Sequence, residues 1–529
     1  MLLRIADCLT TVELGYLRRT CKSVEQTIFD SFAKEFFSKR QFMLEEHSLQ
    51  ALVDIASHTS LSKYLKYVII SAERLSNPMQ RRIQAQAGGV DTDTLLWTGR
   101  ARDMLVEAFQ NLPNLQTVGV RAQSGPNRTR DGPDSRWRSY GWSFGVEEMI
   151  PDFALEHRNQ PGLVHNGKES TTFALVVDAL AEARVNPEGI EVFIHPGRGL
   201  DQTAFSVLGG RSEPRVREVV GKLKRLFLTV GSTPDVQVLT PVKRFLLAAV
   251  GVEALRLNMV NGSNDGDTLL KWLSSPPDRA TTPQTEPPSS EVSSSVTAAQ
   301  ERPSAGQGLG YIYGSPFSAA FPAAPSLTSP PFAHLRKLDI GFANITHGVL
   351  LRLLTRLKLH EISLWKITIV NERQTVSPEE AQQVWPNFLR DLRKSDQPFL
   401  RNIFIGEVVA GPVETDPSGL RLFVGVRWLP ANHSTNPETP SLKQIGYRAG
   451  PGRTAKEWLV EAIDRIERAD QPKVYMTGHG RWDDASRFDA SFHEAQEDSD
   501  DMSMDDDDNS DEEDEEPDDS GHEPDLDLD

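Results

Sequence analysis

The sequence predicts an α/β protein of mixed character. A short helical amino terminus gives it an α+β opening, and an irregular α/β solenoid forms the body. A disordered insertion interrupts that body, and a disordered acidic tail closes the chain. Three observations carry this. Short apolar strands of one form recur down the chain and alternate with helical patterns. Residues 274–331 are rich in Pro, Ser, Thr and Ala and poor in large apolar side chains. From Glu494 to Asp529 there are 21 Asp and Glu and no Lys or Arg.

The amino-terminal run Met1–Phe37 holds two short helical patterns. In the first, Leu2, Ile5 and Leu9 fall at helical spacing. In the second, Leu14, Leu17, Cys21, Val24 and Ile28 step by three and four, a longer amphipathic stripe. Thr10 and Thr11 between them are candidate N-caps, with Glu13 an acid in the first turn. Helices this short bury too little apolar surface to stand alone, so their faces need a partner inside or outside the chain.

Further on, Ser48–His58 reads as an amphipathic helix capped by Ser48, and Leu65–Ser71 as a strand. The couple recurs as helix Ala101–Leu112 with strand Leu115–Arg121, and as helix Thr171–Arg184 with strand Ile190–His195. More strands are predicted at Leu223–Thr229, Val252–Asn258, Leu335–Gly341, Leu359–Trp365, Leu400–Gly406 and Leu442–Tyr447. Most read apolar, two others, apolar, any, apolar, which resembles the L-x-x-L-x-L core of a leucine-rich repeat. Alternate apolar residues of such a strand face one side, where a helix covers them, and stacked couples make a parallel sheet. Leu335 to Leu359 is 24 residues and Leu223 to Val252 is 29, against a repeat of about 20–29. Other gaps are longer, and an ordinary α/β domain with a mixed sheet is the competing reading. The expected organisation is a helical region over 1–47, repeats over 48–273, the insertion over 274–331, further repeats over 332–486 and the tail over 487–529.

Charge and cysteine content bound the setting. Outside Glu494–Asp529 the chain carries 57 Lys and Arg against 54 Asp and Glu, so the formal −18 belongs to the tail and not to the body. Only Cys8 and Cys21 occur, which suggests a reducing compartment, with Cys21 placed as a small hydrophobe on the helical stripe. No run of about 18 apolar residues and no leader pattern is present, so a protein of the cytoplasm or nucleus with no membrane partner is expected. No Cys/His metal spacing and no Gly-x-Ser-x-Gly elbow appears, so neither cofactor nor catalysis is expected.

Two segments carry other candidate sites. The loop with Arg136, Trp137, Arg138, Tyr140 and Trp142 interleaves cations with aromatics. Its rings can fold back on the domain, form a protein-binding patch, or stack on single-stranded nucleic acid, the least favoured of the three. In the tail, Ser503 has Asp506 three residues on and Ser510 has Glu513, which suits acid-directed kinases.

The run LLRIADCL followed by ELGYLRRTCKSVEQTIF resembles an F-box. The segment KEFFSKRQFMLEEHSLQALVDIASHTSLSKYLKYVIIS resembles the region after it in filamentous-fungal F-box proteins. The resemblance implies a non-catalytic substrate receptor of a ubiquitin ligase. Leu2, Ile5, Leu9, Leu14 and Leu17 would meet a Skp-type adaptor that joins a cullin, and the body would hold a protein substrate. F-boxes usually open with Leu-Pro and an acidic residue, and this chain begins inside the first helix. A box truncated at its amino end, with weakened adaptor binding, is therefore expected. The alternative is an interaction scaffold without adaptor binding, its acidic tail engaging basic partners.

Overall fold

Helices α1 (Leu2–Asp7), α2 (Thr11–Arg18) and α3 (Lys22–Phe37) open the chain. This computed structural model describes residues 1–72, 92–121, 169–194, 199–231, 239–259, 265–276, 332–370, 377–395, 397–413, 422–430, 441–450, 453–466 and 474–476. The stripe from Leu14 to Ile28 is not one helix. It breaks after Arg18, and Cys21 in extended backbone becomes the N-cap of α3. Cys8 and Cys21 are both exposed free thiols, so the expected place for Cys21 in the apolar stripe is corrected.

The body is a stack of strands in sequence order. β1 (Lys39–Met43), β2 (Tyr67–Ser71), β3 (Thr117–Arg121), β4 (Gly189–Phe193), β5 (Arg225–Val230), β6 (Ala254–Met259), β7 (Lys337–Gly341), β9 (Glu361–Trp365) and β11 (Asn402–Gly406) pair in parallel, each with the next. β14 (Gln444–Arg448) closes the ten-stranded sheet antiparallel to β11. Parallel neighbours in strict order need a crossover each time, and that is the topology of an α/β solenoid.

Helices fill most crossovers. α4 (Glu46–Ser57) lies between the first two strands, α5 (Thr92–Trp97) and α6 (Arg100–Gln110) before β3, and α7 (Glu169–Ala183) before β4. A 3-10 helix (Gln202–Gly209) and α8 (Glu213–Lys222) precede β5, then α9 (Leu239–Ala248), α10 (Asp265–Ser274), α11 (His347–Arg356), α12 (Pro378–Lys394) and α13 (Ala455–Asp464) follow in turn. The apolar residues of the repeated pattern point toward them. Val118 and Val120, Leu226 and Leu228, Leu338 and Ile340, Ile362 and Leu364 are all buried in one core running from Phe42 to Ala462. The leading residue of the pattern, such as Leu223 or Leu359, sits just before its strand and is equally buried.

Ser48 does not cap α4, which begins at Glu46. It is buried inside the first turn, and its Oγ accepts from the Met43 N–H at 2.8 Å. A second, five-stranded sheet joins β8 (Asn344–Thr346), β10 (Thr368–Val370), β12 (Val409–Gly411), β13 (Leu422–Gly425) and β15 (Val474–Met476). β8, β10 and β12 each begin three residues after a main strand, round a corner. Phe342, Lys366 and Glu407 occupy equivalent positions in those corners, all in left-handed backbone with φ of 56°, 51° and 47°. Each costs about 1–2 kcal/mol relative to a relaxed residue. The corners stack on one another: the Lys366 ammonium lies 5.5 Å from the Phe342 ring centroid and 3.4 Å from the Glu407 carboxylate.

Candidate protein-binding surfaces

The amino-terminal helices have a core of their own. Ala6, Leu14, Ile28 and Phe36 are buried together, with Leu2, Leu9, Leu17, Val24, Phe32 and Phe37 packed around them. The turn into α2 is a reciprocal capping box, in which Thr10 Oγ1 accepts from the Glu13 N–H and Glu13 accepts from the Thr10 N–H. The Thr10 N–H, and with it the Thr10 hydroxyl donating to the carboxylate at 2.8 Å, hold the Glu13 carboxyl below its ordinary value. The Arg18 guanidinium lies 3.5 Å over the Phe32 ring and pairs with Glu25 at 3.2 Å, tying α2 to α3. The Tyr64 hydroxyl donates to Asp30, and its ring meets Phe29 edge-on, which joins the unit to the body.

This packing sorts the five sequence candidates. Leu14 is 2% exposed at the centre of the helical core, and Leu2, Leu9 and Leu17 are half-buried against it. Ile5 is 48% exposed. The inward face of the first helical pattern is therefore Leu2, Ala6 and Leu9, one turn-step away from Leu2, Ile5 and Leu9. Besides Met1, the large apolar side chains left at the surface are Leu3, Ile5, Val12 and Tyr16, of which Val12 and Tyr16 lie four apart on one face of α2. Sequence spacing alone missed Val12 and Tyr16, because Val12 falls inside the threonine-rich turn and Tyr16 lies off the leucine stripe.

The sheet face turned away from the helices carries a polar and aromatic row. Strand register brings Phe227, Arg256, Asp339, Ser363 and Phe404 side by side along one row. Arg256 sits 4.6 Å from the Phe227 ring centroid and donates twice to one Asp339 oxygen, at 3.1 and 3.2 Å. Both side chains are more than nine-tenths buried. At one end of the row the Tyr67 hydroxyl donates to Glu191. At the other, Trp365 stacks on Phe404 at 5.6 Å and covers Gly406, where a Cβ would lie 2.3 Å from the indole. Phe227, Arg256, Asp339 and Ser363 are all buried, so the row ties neighbouring strands to one another through charge pairing and ring contact.

Arg136, Trp137, Arg138, Tyr140 and Trp142 lie outside the described residues, as do Ser503 and Ser510. Among the described residues no group of three or more His, Cys, Asp and Glu is placed to hold a metal ion, and no helix is long and apolar enough to cross a membrane.

No protein-family model matches the chain, and no curated protein matches it. Among solved structures, a complex of Rad7 and Elc1 in yeast is similar over 74% of this chain and 82% of its own, at 9% identity and a TM-score of 0.22. A score that low carries no argument about fold or function.

Proposed function

We propose that this chain is a non-catalytic substrate receptor of a Skp–cullin–F-box-type ubiquitin ligase, with its amino-terminal helices as the adaptor-binding module and its solenoid as the substrate-binding body. The observation that carries the reading is the helical unit itself. It has a separate core, yet it leaves Leu3, Ile5, Val12 and Tyr16 exposed, as a small module does when its remaining apolar face meets another chain. The F-box resemblance of the same residues supports the choice of a Skp-type adaptor as that chain.

The test is co-purification with a Skp-type adaptor. Val12→Asp and Tyr16→Asp should abolish binding while leaving thermal unfolding unchanged, because neither side chain is buried. Leu14→Asp should also abolish binding, but by unfolding the helices, since it buries a charge in their core. If the chain binds no adaptor even with Leu-Pro and an acidic residue placed ahead of Met1, the scaffold alternative replaces this proposal.

A further inference from the structure

A groove of about 670 Å³ runs along the edge where the strands of the second half begin. It gathers six cations, Lys224, Arg225, Arg336, Lys337, Arg401 and Arg448, against three carboxylates, Glu188, Glu253 and Glu361. Two of those carboxylates are already engaged. Glu188 pairs with Lys224 at 3.2 Å, and Glu361 pairs with Lys337 at 3.4 Å and accepts from Asn402 at 2.9 Å. Arg336, Arg401 and Arg448 are exposed and make no side-chain hydrogen bond or ion pair among the described residues. Glu253 is the carboxylate left to offset them, on the rung next to Arg336.

Main-chain bonds fix the arginine line. The His360 N–H donates to the Arg336 carbonyl, the Arg401 N–H to the His360 carbonyl, and the Ala449 N–H to the Arg401 carbonyl. At about 4.8 Å per rung, the line from Arg336 to Ala449 spans roughly 14 Å of strand edge, with Arg448 one residue along from its last rung. Within the line the His360 Nδ1 is shielded from solvent and has no hydrogen-bond partner among the described residues, and beside the line Arg225 donates to Thr117 at 3.0 Å while its Nε is left over. The edge thus holds more cations than carboxylates, which suits an extended, carboxylate-rich segment lying across the rungs.

We propose that this groove is the docking site of the chain's own acidic segment, residues 494–529. Charge complementarity argues for it: those residues hold 21 Asp and Glu and no Lys or Arg. Position argues for it too, because Arg448 ends β14, the last strand of the ten-stranded sheet in sequence, and Arg401 lies beside it. The 18 residues from Met476 to Glu494 reach up to about 60 Å when extended, so the tether imposes no geometric limit. A tethered segment is present at an effective concentration of order millimolar, so it out-competes a free acidic peptide of equal affinity. The groove then reads as an interaction surface that is filled in cis unless a stronger acidic partner displaces the tail. This holds whether or not the amino-terminal helices bind an adaptor.

Zero-length carbodiimide crosslinking of the full chain, read by mass spectrometry, tests the proposal. Tail carboxylates should couple to Lys224 and Lys337 about tenfold more than to the exposed reference lysines Lys22 and Lys456, and the preference should vanish near 1 M salt, where the screening length is about 3 Å. It should also vanish in the Arg336→Gln, Arg401→Gln, Arg448→Gln triple variant. Amide replacement of the carboxylates within residues 505–516 leaves the body unaltered, and the remaining tail carboxylates should then lose their preference for the groove. Equal coupling to all lysines would overturn the proposal. So would crosslinks between isotopically distinct chains in a mixed sample, since they would assign the groove to a second copy.

Discussion

At the scale of single residues, the decisive contrast is between side chains of the same type held in different places. Leu14 and Leu338 are each 2% exposed, one in the helical unit and one in the solenoid. Truncation to Ala should cost about 2–5 kcal/mol at either site, measured by chemical unfolding. The two losses should report on different transitions, because the cores are separate. Asp339 offers a sharper test. Its ion pair with Arg256 is buried on the sheet face, so Asp339→Ala leaves a cation without its partner and should cost about 3–5 kcal/mol. Replacing both Arg256 and Asp339 with Leu should cost clearly less than the single change, which a double-mutant cycle would show.

At the scale of elements, the helix starts carry a pH signature. Glu13 and Glu457 close capping boxes with Thr10 and Thr454, and those hydrogen bonds lower both carboxyl pKa values. A carboxyl lowered in the folded state adds stability that is complete above the ordinary glutamate range. That stability is lost as the pH falls through the lowered value. Acid unfolding followed by circular dichroism should therefore shift to higher pH with either Thr10→Ala or Thr454→Ala, which remove the partner hydroxyls. The elements were unequally legible in the sequence. Each main strand from β2 onward lies within two residues of an apolar pattern, because burial on the helix side imposes that pattern. β1 escaped notice because KRQFM opens with three polar residues at a sheet edge, and the three-residue strands β8, β10 and β12 are too short to show a period. The corners before them gave no signal either, since left-handed backbone at Phe342, Lys366 and Glu407 is held by stacking and not by glycine. The candidate docking helices were half legible. Leucine spacing located the unit but could not say which side faced inward, because in so short a helix Leu2–Ile5–Leu9 and Leu2–Ala6–Leu9 are both helical spacings and only packing chooses between them.

For the whole molecule, rung-on-rung stacking means that each repeat gains its stability from its neighbours and not from distant parts of the chain. Lesions should act locally. Leu364→Asp, in the middle of β9, should uncouple the rungs beyond it, and hydrogen exchange should quicken from β9 through β14 while β2 to β5 stay protected.

The junction between β6 and β7 has a consequence for how the chain can be made. Some 55 residues, 277–331, separate α10 from the next described segment, yet Ala254–Asn258 pairs with Lys337–Gly341 in unbroken register and α10 packs on α11. Nothing in that contact depends on a peptide linkage. Two separately expressed polypeptides, cut near residue 300, should find one another and rebuild the sheet, so this protein can serve as a conditional switch assembled from halves.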